Sequence, residues 1–417
     1  MPEARARVPD DEELDWLTRR AVAEIIPHDE FVKALKSGRA LRLKMGFDPS
    51  APDLTIGHAV GLRKLRQLQD LGHTVVIIVG DWTAQIGDPS GQSKTRPMLT
   101  ADQVKANAET YLRQFFKIID RELTEVRHQS EWFGDFDLAD VVRLAAQFTV
   151  AQMLERADFA ERFQRQQPIG VHELLYPLLQ GYDSVAVRSD VEFGGTDQKF
   201  NLLVGRELQE REGQKPQCVY TVPLLVGTEG EVKMSKSLGN YVAVDDPPND
   251  MYGKVMSVPD HVIADYFEYL TDLPDEELAV IREQVEKHTA NPMDAKKRLA
   301  REIVAQFHDA NAAAEAESYF ERTFSRGELP DDVPEQRLSF IQVLAEDPAD
   351  GDGRVRLPWL LARLDLASST SEANRLIKQR AVEVDGEVTQ EPRLELRHGM
   401  IFRVGKHRFL RLLNTDA

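Results

Sequence analysis

The chain has 417 residues, 42% of them hydrophobic and 29% charged, with a formal net charge of −18; this predicts two to four domains with a true core and argues against broad electrostatic attraction to nucleic acid. One cysteine, Cys218, excludes internal disulfides and any cysteine-cluster zinc site. The N-terminus is acidic and no run approaches membrane length, so a soluble, cytoplasmic protein with no membrane partner is expected.

Leu14, Leu17, Ala21 and Ile25 share one helical face, predicting a packing helix over 11–26 that Pro27 ends. A second short helix is expected at 31–36, after which Leu41, Leu43 and Met45 alternate as a strand. A Gly/Pro loop, 46–58, then enters a helix carrying Leu62, Leu65 and Leu68. Such a junction presents free backbone N–H groups and the positive end of a helix dipole, so an anion is its natural guest. Gly57 permits close backbone approach, and His58 can hydrogen-bond a ribose or phosphate.

Residues 74–79 are almost entirely apolar, as in a parallel strand covered on both faces. The loop after them, 80–96, is not a P-loop, because that motif needs glycines at 88 and 93, where Asp88 and Ser93 stand. Thr100 caps a helix with Ala108, Tyr111, Leu112, Phe115 and Ile118 on one face, and a short strand follows near 123–126. This βαβα rhythm predicts an α/β fold with a doubly wound parallel sheet.

Helical patterns follow at 138–148, 150–156 and 171–182. In the last, Tyr176, Gln180 and Asp183 share a face. His172-Glu173 does not begin a zinc motif, since Tyr176 takes the second histidine position, and no metal site is expected. Gly194-Gly195 opens another glycine-rich helix entry. The apolar run 219–226 then empties into the loop 232–240, where Lys233, Ser235, Lys236 and Ser237 suit a polyphosphate. Beyond it lie a helical region including a long pattern at 293–324, an acidic linker at 345–353, two short helices at 357–364 and 371–379, and strands from Val382 onward. From Arg354 the chain carries 12 Lys/Arg against 8 Asp/Glu, a net +4 that leaves −22 for the rest; this fits local RNA contact.

Five ordered motifs carry a resemblance: Gly46-Phe47-Asp48-Pro49, Thr55-Ile56-Gly57-His58, Ile86-Gly87-Asp88-Pro89-Ser90, Tyr176-x-x-x-Gln180-x-Tyr182-Asp183 and Gly194-Gly195-Thr196-Asp197-Gln198, with the intact K-M-S-K-S at 233–237 as the second family signature. Over nearly its whole length the chain resembles class I aminoacyl-tRNA synthetases, specifically the bacterial tyrosyl-tRNA synthetases. The resemblance implies N-terminal helices at 1–38, a Rossmann-like catalytic domain at 39–240, a helical anticodon-side domain at 241–344, the linker, and a small α+β RNA-binding module of ribosomal-protein type at 354–417.

It also implies a chemistry: tyrosine and ATP give tyrosyl-adenylate and pyrophosphate, and tyrosine then passes to the 3′ end of its tRNA. Catalysis falls to Lys233, Lys236, His58 and Thr55. ATP contacts fall to Ser50, Gly57, His58, Asp197, Ser235 and Lys236, and the tyrosine pocket to Lys44, Asp48, Asp88, Tyr176, Gln180, Asp183 and Gln198. ATP comes as substrate with Mg2+, no tightly bound cofactor is expected, and the partners are tRNA(Tyr) and a second copy of the chain in a homodimer. Two positions depart from the family pattern. Thr55 stands in place of the usual first signature histidine, and Lys44 where many relatives place a pocket tyrosine. Two other readings remain open: a tryptophanyl-tRNA synthetase, which Tyr176 with Asp183 points away from, and a synthetase-like RNA-binding protein without activation, which the two signature lysines oppose.

Overall fold

A computed structural model describes residues 5–50, 52–90, 100–325, 333–347, 353–405 and 408–416, and the chain divides into two compact units, Met1–Glu317 and Ser318–Ala417.

The first unit is built on six strands: β1 (Glu24–Ile26), β2 (Arg42–Phe47), β3 (Thr74–Val79), β4 (Thr124–His128), β5 (Val191–Gly195) and β6 (Cys218–Val222). Their order is β1-β6-β5-β2-β3-β4, parallel except for β1, which runs antiparallel on β6. The chain winds from β2 through β3 to β4, then returns to put β5 on the other side of β2, so the winding reverses between β2 and β5. There β2 pairs with β5 through only two residue pairs, Leu43 with Val191 and Lys44 with Glu192, against six pairs with β3. Past that rung β2 and β5 no longer pair with each other, each staying bonded to its outer neighbour β3 or β6, and the gap between their carboxyl ends is where open α/β sheets hold their ligands.

Helices position the rest. Ile56–Gln69 buries Ile56, Ala59, Val60, Leu62, Leu65 and Leu68, the spacing of one apolar face. Val171–Val187 crosses Lys199–Arg211 closely at Gly181, where a Cβ would stand 2.9 Å from Leu208 Cδ1 and 3.1 Å from the Gly205 nitrogen. A side chain there would push the two helices apart. After the 232–240 loop the chain is stitched back to the start of Ile56–Gln69: Ile56 N–H donates to the Val242 carbonyl at 3.0 Å and Val244 N–H to the Leu54 carbonyl at 2.8 Å.

Several expectations are corrected. The helix expected over 11–26 ends at Arg19, and Ala21 takes a positive φ of 51°, after which Glu24–Ile26 adds an edge strand to β6. Pairing with an open sheet edge outweighs a continuous helical pattern here, and it ties the segment around Glu24–Ile26 into the six-stranded sheet. The 219–226 strand is confined to Cys218–Val222, because Pro223 has no N–H for the ladder. The 171–182 helix runs on to Val187, while the 150–156 helix is a single turn at Val150–Met153.

The second unit, Ser318–Ala417, takes in chain before residue 354 together with the expected C-terminal module. Its five-stranded sheet takes Glu335–Leu338 as an edge, parallel to Arg408–Asn414, beside Met400–Val404, Val382–Val384 and Glu387–Val388. Phe340 and Val343 of helix Phe340–Glu346 join its core with Leu357, Leu360, Ile377 and Phe402. Residues expected in the helical domain therefore belong to the C-terminal core. Of the expected linker 345–353, residues 345–346 end that helix and Asp347 is buried, accepting from the Arg356 N–H at 2.6 Å. Residues 348–352 lie outside the described residues, as do Ala51 and 91–99 of the loop after β3.

Candidate active site

The expected residues gather at the carboxyl edge of β2, β3 and β5. Thr55 is the N-cap of Ile56–Gln69 and is itself buried. Its N–H donates to His58 Nδ1 at 3.1 Å, and its Oγ1 lies 2.9 Å from the same nitrogen. Because a backbone N–H can only donate, Nδ1 is an acceptor and the imidazole proton sits on Nε2. Burial, helped by the charges of Lys236 and Lys233, pushes the His58 pKa down to about 3, so the ring stays neutral and offers one fixed donor.

The signature loop faces this helix start. A Cβ on Gly57 would lie 3.7 Å from Met234 Cβ. Met234 N–H bonds to the Leu225 carbonyl and Ser235 N–H to Asn240 Oδ1, each at 2.8 Å. Lys233 Nζ pairs with Asp197 at 2.7 Å, joining the loop to the Gly194-Gly195 turn. Lys236 Nζ reaches back to the Asp53 carbonyl at 2.6 Å and to the Tyr111 hydroxyl.

A second cluster lies beside it. The Tyr176 hydroxyl donates to Asp48 at 2.8 Å, and Thr83 Oγ1 donates to the other Asp48 oxygen at 2.7 Å. Burial, then Asp48 and Asp88, hold the Tyr176 phenol well above its ordinary pKa, so it remains a donor. Gly80 leaves room for this cluster, since a Cβ would stand 2.3 Å from Asp48 Oδ1 and 2.5 Å from Thr83 Oγ1 and would displace both. Gln198 Nε2 donates to Asp88 at 2.9 Å, and Asn201 Nδ2 bridges Gln198 Oε1 and Gln180 Oε1, both at 2.9 Å. Arg156, buried, ties Asn201 to Ser90 at 3.2 and 2.7 Å.

At the floor is Asp183, buried, accepting from Gln129 Nε2 at 2.9 Å and Trp132 Nε1 at 3.2 Å. Burial pushes its pKa up to about 7, against the charge of Lys44 and the Gln129 hydrogen bond. A carboxylate has about four acceptor positions, so two donors leave room for a hydroxyl.

Lys44 is the one expected pocket residue without an exposed atom, 0% accessible and ion-paired to Glu192 at 2.8 Å. Ser50 is exposed at the rim, its N–H bonded to the Asp48 carbonyl at 2.7 Å. Sequence reasoning missed Thr83, Gln129, Trp132, Arg156 and Asn201. Gln129 was findable, because it directly follows β4 at the same sheet edge as Asp48 and Gly194; the others come from the turns and helices beyond that edge.

A family model described as tRNA synthetases class I (W and Y) matches residues 36–325, and an S4 domain model matches 355–402. The chain is 57% identical over 397 residues to a tyrosine–tRNA ligase of Dehalococcoides mccartyi strain CBDB1, covering 95% of this chain and 98% of that one. A tyrosine–tRNA ligase of Thermotoga maritima is 48% identical over 97% of this chain and 98% of its own length. Among solved structures, a tyrosyl-tRNA synthetase of Archaeoglobus fulgidus complexed with L-tyrosine superposes with a TM-score of 0.60 at 23% identity, over 73% of this chain and 99% of that one, a likeness of fold. With both signatures facing each other across the β2/β5 switch point, and with matches that span nearly the whole chain, the protein belongs to the class I tRNA synthetases of the W and Y family.

Proposed function

We propose that this chain is a tyrosine–tRNA ligase, activating tyrosine with ATP and charging tRNA(Tyr). The observation that carries the amino-acid choice is Asp183: a buried carboxylate, fixed by two N–H donors, with acceptor capacity left over. A phenol can donate to it, whereas phenylalanine would leave its remaining acceptor capacity unused against a hydrogen of the ring. Discrimination of this kind reaches roughly 10⁵, a magnitude that belongs to the tyrosyl-tRNA synthetases as a family. Tyr176, Gln180, Asp88 and Gln198 then receive the ammonium end, with Asp48 orienting Tyr176.

In the first step a tyrosine carboxylate oxygen bonds to the α-phosphorus of ATP, and the bond from that phosphorus to the bridging oxygen breaks. Pyrophosphate leaves with the electron pair. No protein nucleophile is needed, so positioning and charge stabilisation do the catalysis. Lys233 and Lys236 take up the charge growing on pyrophosphate, His58 donates from Nε2, and Gly57 lets phosphate approach the helix start. ATP enters as its magnesium complex. In the second step a hydroxyl of the terminal adenosine attacks the tyrosyl carbonyl and AMP departs, with the S4-like region supplying RNA contact.

A homodimer in the cytoplasm completes the reading. Leu138, Val142, Val150, Phe163 and Val171, each more than half exposed within one stretch of chain, support that reading, since exposed apolar side chains are what a subunit contact would cover. Pyrophosphate exchange into ATP, run with each amino acid, tests the activity: exchange with tyrosine alone supports it, and exchange with tryptophan or with none refutes it.

A further inference from the structure

Beneath the crevice, Lys44 and Glu192 are the last paired rung between β2 and β5 before those strands part. Both side chains are shut off from solvent. A buried ion pair has a desolvation cost that an apolar pair of similar volume avoids, so stability alone is a weak reason for it. Its other bonds give a better one. Lys44 Nζ donates to the Gln180 carbonyl at 2.9 Å and to Ser184 Oγ at 2.8 Å, two points one turn apart on Val171–Val187. With Glu192 as third partner, all three ammonium protons are used.

Glu192 closes the network, accepting from Ser184 Oγ at 2.9 Å and from Gln217 Nε2 at 2.5 Å. Gln209 Nε2 adds a bond to the Ser184 carbonyl at 3.1 Å. The turn from Gln180 to Ser184 is thus gripped from the sheet below and, through Gly181, packed against Lys199–Arg211 from the side. That grip is apt, since Pro177 lies just upstream and lacks the N–H of a helical turn.

We propose that Lys44 and Glu192 form a positioning pair for amino-acid selection, a charged strut that sets the height of the 180–184 turn over the sheet and so the place where Gln180 and Asp183 meet the substrate. The proposal rests on the tyrosine reading above and deepens it, replacing direct ligand contact by Lys44 with control from below. Lys44 is also the leading charge that opposes the rise of the Asp183 pKa, so the same ammonium favours the acceptor form.

The test compares full-length wild type with Lys44→Met, Lys44→Met/Glu192→Gln and Ser184→Ala, measuring melting temperature and pyrophosphate exchange with tyrosine and with phenylalanine. Lys44→Met alone strands the Glu192 charge and lowers the melting temperature. The double variant recovers most of that loss, yet keeps a KM for tyrosine raised at least tenfold and a tyrosine-over-phenylalanine ratio lowered at least tenfold, with the KM for ATP within twofold. Ser184→Ala, which leaves both charges in place, moves the tyrosine values at least threefold with a smaller drop in melting temperature than Lys44→Met.

Wild-type selectivity in the double variant overturns the proposal, as does an equal rise in both KM values, which would signal general loosening. Should the double variant fail to fold, unchanged tyrosine KM and selectivity in Ser184→Ala overturn it. Lack of tyrosine exchange by the wild type is a separate outcome, which refutes the proposed activity and the pair's role with it.

Discussion

Thr55 Oγ1 lies 2.9 Å from His58 Nδ1, and the Thr55 N–H donates to the same nitrogen. The residue that departs from the family signature therefore acts on the signature histidine that remains, occupying its Nδ1 so that Nε2 carries the proton.

The consequence is a modest, indirect role for the hydroxyl. Thr55→Val keeps the shape and the backbone donor, so adenylate formation should slow by about tenfold or less, near 1 kcal/mol for one hydrogen bond, with tyrosine affinity unchanged. Thr55→His should change the rate by less than tenfold in either direction. A loss of several hundredfold in Thr55→Val, measured by pre-steady-state adenylate formation, would instead mean direct phosphate contact.

Lys233 and Lys236 should be felt only as charge leaves. Each alanine replacement should reduce adenylate formation by on the order of 2 kcal/mol of transition-state stabilisation, with little change in tyrosine binding. Lys233→Ala additionally frees Asp197 from its 2.7 Å partner, and Lys233→Ala/Asp197→Ala, which also removes an expected ATP contact, should recover neither the rate nor the binding of ATP. Collapse of tyrosine affinity with a preserved rate would defeat the assignment.

Asp183 makes tyrosine recognition pH-dependent. Its folded pKa, about 7, lies above the ordinary 3.8 because of burial. A carboxylate raised in the fold contributes stability that is full below pH 3.8 and is lost as pH rises through about 7. The groups facing it are Lys44 and Glu192 from the sheet, and Gln129 and Trp132 from the segment after β4. Below pH 7 the protonated form is a weaker acceptor, so the KM for tyrosine should rise as pH falls from 8 to 6 while the KM for ATP stays level. Exchange kinetics with a flat tyrosine KM across that range would contradict it.

Truncation should respect the observed boundary. A chain ending at Glu317 keeps the whole first unit and should retain tyrosine-dependent exchange while losing most tRNA charging. A chain ending at residue 353 strands Glu335–Leu338 and Phe340–Glu346 without their strand and core partners, and should show lower solubility and a lower first melting transition. Unchanged charging by the shorter chain would remove the RNA role from the second unit.

Phe163→Asp, at a side chain 64% exposed, should give a monomer by light scattering if that surface is the subunit interface. A dimer of undiminished stability would place the interface elsewhere.

Much of this is legible in the chain itself. The near-continuous apolar run of β3 and the Gly-rich turns at 46–58 and 194–198 announce parallel strands feeding ligand loops, because buried strands and close backbone approach leave few residue choices. Helical spacing puts Tyr176, Gln180 and Asp183 on one face, and the family resemblance is what assigns that face to a pocket. What stays hidden depends on partners distant in sequence. Glu24–Ile26 becomes a strand only because β6 leaves an edge open, and Glu335–Leu338 only because Arg408–Asn414 does. Lys44 reads as a pocket group until the rung opposite it proves to be Glu192, and Gln129 and Trp132 find Asp183 across more than fifty residues of chain.

The stitching of 242–244 onto 54–56 also bears on how quickly the signature lysines can act. With Met234 bonded to Leu225 on one side and Val242 and Val244 sewn to the helix start on the other, the segment between is a short arch with both feet clamped. Its lysines can swap Asp197 and the Asp53 carbonyl for phosphate oxygens by turning about side-chain bonds, without first ordering a stretch of backbone. The entropy of loop closure is thus largely spent during folding, and on the proposed reading each turnover would start from a nearly assembled electrostatic trap.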